Sequence, residues 1–223
     1  VYSCNFETQA FLNRGDVLPD VPLNDKFLNL EINRHRKDTV TILSMGRLIN
    51  KKGLLLLLDV LSLLDTETKW KCLIYGDGEQ REIISERIRN LGLQERVHLM
   101  GAVQYDDISE VYRNADIFVL PSIRESGGSV LVEAAAHKLP LVALKMSLSV
   151  IFSRHNAGLF VNITQSKEVL LKEFTEAIRK LVEDEDLRRI CGENAYSLVN
   201  VEFNWEKMIE EVYGEWISQN DER

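Results

Sequence analysis

The sequence predicts an α/β fold, a Rossmann-like doubly wound parallel sheet with helices on both faces. Three observations carry this expectation. From Thr39 onward, apolar runs suited to strands alternate with amphipathic stretches suited to helices. Runs such as Ile117-Phe118-Val119-Leu120 are apolar throughout, as strands buried on both faces must be. A chain of 223 residues, 45% of them apolar, can bury one sizeable core.

The elements follow in order. Residues 39–45 form the first expected strand, and Gly53 with the Leu run behind it marks a helix over 52–64. Strand 70–75 ends in a glycine turn and leads to a charged helix over 80–91. Strand 97–99 precedes a helix over 106–114, strand 116–120 a helix over 129–136, and the apolar run 139–144 gives the fifth strand. Residues 158–161 give the sixth, followed by amphipathic helices over 168–183 and 187–199. A last helix over 205–218 carries Trp205, Met208, Ile209, Val212, Tyr213 and Trp216 at three- and four-residue steps, a broad apolar face. Right-handed helical crossovers between parallel strands complete the doubly wound arrangement, in which ligands gather at the carboxyl ends of the strands.

Outside this core the signals weaken. Val1-Tyr2-Ser3-Cys4 reads as the end of a strand, and the inference from such a start is a fragment. Residues 16–37 lack periodicity, carry Pro19 and Pro22, and end in Asn33-Arg34-His35-Arg36-Lys37, an exposed connector. That basic cluster is read as a solvated linker, with peripheral docking on an anionic membrane as the alternative.

Charge and composition exclude several functions. A net charge of −8 disfavours an extended nucleic-acid surface, so any phosphate ligand needs a local cationic pocket. Cys4, Cys72 and Cys191 are too few and too scattered for a zinc site or disulfide framework, and no apolar run reaches the roughly 18 residues of a bilayer span. The cytoplasm is the expected compartment. Asp184-Glu185-Asp186 matches a metal-binding D-x-D, but between two helices it is expected to cap the second.

The loops after the strands carry the chemistry. Gly46-Arg47-Leu48-Ile49-Asn50-Lys51-Lys52-Gly53 places a tight turn, a planar multi-donor cation at Arg47 and a point charge at Lys52 beside a helix start, a pair suited to a diphosphate. Tyr75-Gly76-Asp77-Gly78-Glu79 and Leu99-Met100-Gly101-Ala102-Val103 are glycine turns, equally explained by backbone needs or by a ligand lying close. Between two apolar runs, Pro121-Ser122-Ile123-Arg124-Glu125-Ser126-Gly127-Gly128-Ser129-Val130-Leu131-Val132-Glu133 sets two carboxylates either side of a Gly-Gly turn and a helix start. Backbone N–H groups there favour phosphate, and Glu133 can accept two hydrogen bonds from vicinal hydroxyls.

Together these segments resemble the retaining glycosyltransferases of the GT-B fold, in particular the large family 4. Pro121, Ser122, Glu125, Gly128, Glu133, Ala134, Ala136 and Pro140 fall at matching places of its E-x7-E segment, and Arg47 and Lys52 at those of its diphosphate loop. The resemblance covers nearly the whole chain but only half of a two-domain enzyme. It implies that residues 1–38 close a missing N-terminal acceptor domain and link to a nucleotide-sugar-binding domain over 39–200. Residues 201–223 would cross back toward the missing domain, a terminal core helix being the alternative.

It also implies transfer of a hexose from a UDP- or GDP-linked sugar to a glycan or lipid-linked acceptor, with retention and without a metal or other cofactor. Arg47, Lys52 and Glu125 take the catalytic positions. Gly46, Gly76, Gly78, Val103, Gly127, Gly128, Ser129, Val130 and Glu133 take the donor-binding ones. A nucleotide-sugar epimerase, a glycan phosphorylase and a non-catalytic nucleotide-binding or interaction module are the rivals. Two departures stand out. Lys138 replaces the glycine that usually ends the helix, which would put a left-handed cap on lysine at roughly 1 kcal/mol. Lys145-Met146-Ser147-Leu148-Ser149 lacks the usual Gly-Gly pair near the donor.

Overall fold

The computed structural model describes residues 38–125, 128–163 and 166–203. Six strands, β1 (Val40–Met45), β2 (Trp70–Tyr75), β3 (Val97–Gly101), β4 (Ile117–Leu120), β5 (Leu141–Leu144) and β6 (Gly158–Val161), form one sheet in the order β3-β2-β1-β4-β5-β6. Every pairing is parallel. The expected Rossmann-like fold is the one observed, and its order reverses between β1 and β4, which opens a crevice at their carboxyl ends.

The apolar runs are explained by burial on both faces. Val40 and Ile42 of β1, Ile117 and Val119 of β4, and Val142 and Leu144 of β5 enter one core with helices α1 (Leu54–Ser62), α2 (Arg81–Asn90) and α6 (Lys167–Glu183). Leu43, Met45, Phe118, Leu120, Leu141 and Ala143 point the other way. There they meet α3 (Ile108–Arg113), α4 (Ser129–Ala136), α5 (Leu148–Arg154) and α7 (Glu185–Glu202).

Several boundaries depart from the sequence reading, among them the start of β5 at Leu141, of α3 at Ile108 and the end of α7 at Glu202. The first helix starts at Leu54, because Gly53 adopts φ 67° and ends a separate 3-10 turn over Asn50–Lys52. Lys52 therefore lies on that turn, ahead of the helix. β3 runs on to Gly101, and α7 begins at Glu185, where Asp184 accepts a hydrogen bond from the Leu187 N–H at 2.8 Å. The expected capping role of Asp184 is thus observed. Helix α5 was not anticipated. The expected helix over 205–218 and the connector over 16–37 lie outside the described residues.

Lys138 does adopt the left-handed conformation, at φ 54°. Its N–H bonds the Ala135 carbonyl and the Leu139 N–H bonds that of Ala134, the paired closure of a Schellman motif. The Lys138 ammonium lies 3.0 Å from Glu193 Oε1 and 4.8 Å from the centre of the Tyr196 ring, so the strained cap also ties α4 to α7.

Candidate functional site

The loops after β1 and β4 meet across the crevice. The Lys51 carbonyl accepts the Ile123 N–H at 3.0 Å, and Gly53 sits so close to Pro121 that a β-carbon there would overlap the Pro121 carbonyl oxygen. Only glycine satisfies both that contact and the positive φ. This backbone seam brings two distant side chains together: Lys52 Nζ lies 2.6 Å from Glu125 Oε2, with 19% and 11% of the two side chains exposed. Such short, charge-assisted contacts are strong where water is partly excluded.

Ser122, itself buried, donates to the same Glu125 oxygen at 3.0 Å, and Ser147 donates to the Glu125 carbonyl at 2.9 Å. Ser147 does so from φ 45° and ψ −129°, an unfavourable conformation for a residue with a side chain. It occupies the segment where the expected Gly-Gly pair is missing, and its hydroxyl contributes what glycine lacks, a tether on the carboxylate loop.

Gly46, Arg47 and Lys52 line one pocket with Ser44, Tyr75 and Pro121. Arg47 is exposed, and its backbone carbonyl accepts the Ile49 N–H at 2.9 Å. Its guanidinium is available at the mouth of a pocket whose other cation is engaged by a carboxylate. A neighbouring pocket is lined by Ser122, Glu125, Leu148 and Ser149.

Other expected site residues have local structural roles. A β-carbon on Gly76 would overlap the Gly46 carbonyl oxygen, and one on Gly78 would come within 2.6 Å of the Leu48 carbonyl oxygen. Both glycines let the β2 turn lie against the β1 loop. Val103 and Val130 are partly buried against the core that contains Tyr112. Gly128 stands at φ 78° as the N-cap of α4, and Ser129 is its first residue. Gly127 lies outside the described residues.

Glu133 faces a different environment from Glu125. The hydroxyl of Tyr112, a fully buried residue on α3, donates to Glu133 Oε2 at 2.9 Å. Burial raises the carboxyl pKa above its ordinary value, and the Tyr112 hydrogen bond opposes that rise without cancelling it. Burial, reinforced by the adjacent carboxylate, holds the Tyr112 phenol well above its ordinary range, so it remains a donor. His137 stacks on Tyr112 at 5.0 Å; its Nδ1 donates to the Glu133 carbonyl at 2.7 Å, and Ser109 bonds its Nε2 at 2.8 Å. Sequence reasoning did not select Tyr112, His137, Ser147 or Ser122 as site residues. Only Ser122 carried a signal, as a match to the E-x7-E segment.

Residues 25–198 match the family described as glycosyl transferases group 1. The chain belongs to that family. As a member it is 29% identical over 170 residues to the lipopolysaccharide core biosynthesis glycosyltransferase LpsE of Rhizobium meliloti (strain 1021), covering 76% of this chain and 47% of LpsE. Its fold is similar to that of Anabaena HepE solved in complex with UDP and glucose, with a TM-score of 0.68, 21% identity, and coverage of 81% of this chain and 49% of that one. It is also similar to the C-terminal domain of a glycosyl transferase group 1 family protein, LpcC, from Francisella tularensis. That match has a TM-score of 0.64 and 22% identity and covers 74% of this chain and 87% of that one. The group 1 chain spans about half the length, or less, of the curated relatives it matches.

Proposed function

We propose that this chain is the donor-binding half of a retaining glycosyltransferase that moves a hexose from a nucleotide diphosphate sugar to a glycan or lipid-linked acceptor. The observation that carries the reading is the Lys52–Glu125 pair at the β1/β4 switch point, with Arg47 lining the same pocket as Lys52. A diphosphate entering there would meet two cations, one of them held by a carboxylate that the phosphate can displace. Glu125, released from Lys52, would turn to the hydroxyls of the donor sugar, and Glu133 would accept the ribose hydroxyls.

Charge that develops on the leaving diphosphate would be stabilised by Arg47 and Lys52, a preorganised electrostatic contribution that would not need a metal. HepE solved with UDP and glucose, and the match to a C-terminal domain of a group 1 protein, support the donor class and the domain assignment. Acceptor recognition falls to the partner domain of the whole enzyme, which is expected to work in the cytoplasm with peripheral membrane contact where the acceptor is lipid-linked.

Isothermal titration of this chain with UDP and GDP, with and without EDTA, tests the reading. One of the two binds with an affinity that the chelator leaves unchanged within twofold. Binding that appears only when Mg²⁺ is added, or failure to bind either nucleotide, contradicts it.

A further inference from the structure

Resting on the reading of Glu133 as the ribose-binding carboxylate, we propose that Tyr112 is its positioning residue: the buried phenol holds Oε2 so that Oε1 presents to the vicinal hydroxyls of the nucleotide. Glu133 is half-buried and has no cationic partner among the described residues, and Tyr112 is the one described side chain that bonds its carboxylate. A carboxylate in that setting is costly to ionise and free to rotate unless one oxygen is fixed.

The Tyr112 ring is packed on both sides. It is fully buried, tilted against Phe118 of β4 at 5.8 Å and stacked on His137 at 5.0 Å. Its hydroxyl reaches Glu133 Oε2 at 2.9 Å and, at 3.5 Å, the more distant carbonyl of Val130. The backbone of residue 133 is fixed as well, since His137 Nδ1 bonds its carbonyl. One carboxylate oxygen and the carbonyl are thus committed to the protein. Oε1 accepts from no described residue, and two ribose hydroxyls would complete its hydrogen bonding. Tyr112 acts through Glu133 and touches no substrate, so its effect is on discrimination between sugars of the nucleotide.

The test compares, on this chain, the dissociation constants of UDP and 2′-deoxy-UDP, or of GDP and 2′-deoxy-GDP if the guanine nucleotide binds more tightly. Wild type is expected to prefer the ribonucleotide by about tenfold, the worth of one charge-assisted hydrogen bond. Tyr112→Phe is expected to reduce that preference at least threefold, mainly by weakening the ribonucleotide. In a Glu133→Gln background, Tyr112→Phe should change it by less than 1.5-fold. A merely structural role would weaken both nucleotides alike.

Replacing Tyr112 by 4-aminophenylalanine keeps a donor in the same ring position. It should hold the preference within twofold of wild type, which provides a measurement even where the Phe variant fails to fold. A preference unchanged in Tyr112→Phe, or lost with the 4-amino ring, overturns the proposal while leaving the donor reading intact. A wild-type chain that binds the two sugars equally overturns the reading of Glu133 itself, and this inference with it.

Discussion

Two glutamates eight positions apart sit in different surroundings. Glu125 meets an ammonium and a hydroxyl, whereas Glu133 meets a buried phenol and low-dielectric surroundings. Because its folded-state pKa is raised, Glu133 favours the folded state fully only below the ordinary carboxylate range, and that contribution is lost as pH rises through the raised value. Glu133→Gln removes the loss. The variant is expected to melt at a higher temperature than wild type near neutral pH, with the difference vanishing below about pH 4. The same variant should lose the preference for ribose, a trade of function for stability. Melting curves across pH, set beside titrations with ribose and deoxyribose nucleotides, check both statements, and equal melting at neutral pH counts against the burial argument. The carboxylates themselves were legible from the E-x7-E spacing. Their partners were not, because Tyr112 and Lys52 lie 21 and 73 residues away from the glutamates they meet and no local pattern links them.

At the scale of elements, the β1 loop and the β4 loop act as one unit because Gly53 lets their backbones touch. Gly53→Ala places a β-carbon against the Pro121 carbonyl and strains a φ of 67°. It should destabilise the chain by at least about 2 kcal/mol and weaken nucleotide diphosphate binding by moving Lys52 out of the pocket it lines with Arg47. Denaturant melts and titration of the folded variant measure the two effects. Lys138 makes a second element-level case. Its left-handed cap costs roughly 1 kcal/mol, offset by a partly exposed ion pair to Glu193 and a cation–π contact with Tyr196. Lys138→Ala keeps the strain and loses both contacts, so it should cost about 1 kcal/mol, whereas Lys138→Gly relieves the strain and should cost less. A glycine variant less stable than the alanine one would show that the cap is not strained. The cap was readable from the sequence because one lysine stands where a glycine is expected. Helix α5 was not, since seven residues give too little periodicity and its entry depends on the Ser147 conformation.

Across the whole molecule, an acidic chain of net charge −8 places Arg47 and Lys52 in one pocket at the point where strand order reverses. All six strands were legible to within two residues at either end, because strands buried on both faces leave unbroken apolar runs and glycine turns mark their ends. The strand order could only be expected in outline, since apolar runs do not say which strands are neighbours. The cations of the loop after β1 are plain in the sequence. That Lys52 is already paired across the crevice emerges from the fold alone, and under the proposed function a diphosphate there would exchange one anion for another. The most direct test is calorimetric titration of wild type, Arg47→Ala and Lys52→Ala with the preferred nucleoside diphosphate and its parent nucleoside. Loss of a charge-assisted contact predicts at least about tenfold weaker diphosphate binding in each variant, with nucleoside binding unchanged within twofold. Equal losses for diphosphate and nucleoside, or no loss for either, would contradict the assignment of a diphosphate to this crevice.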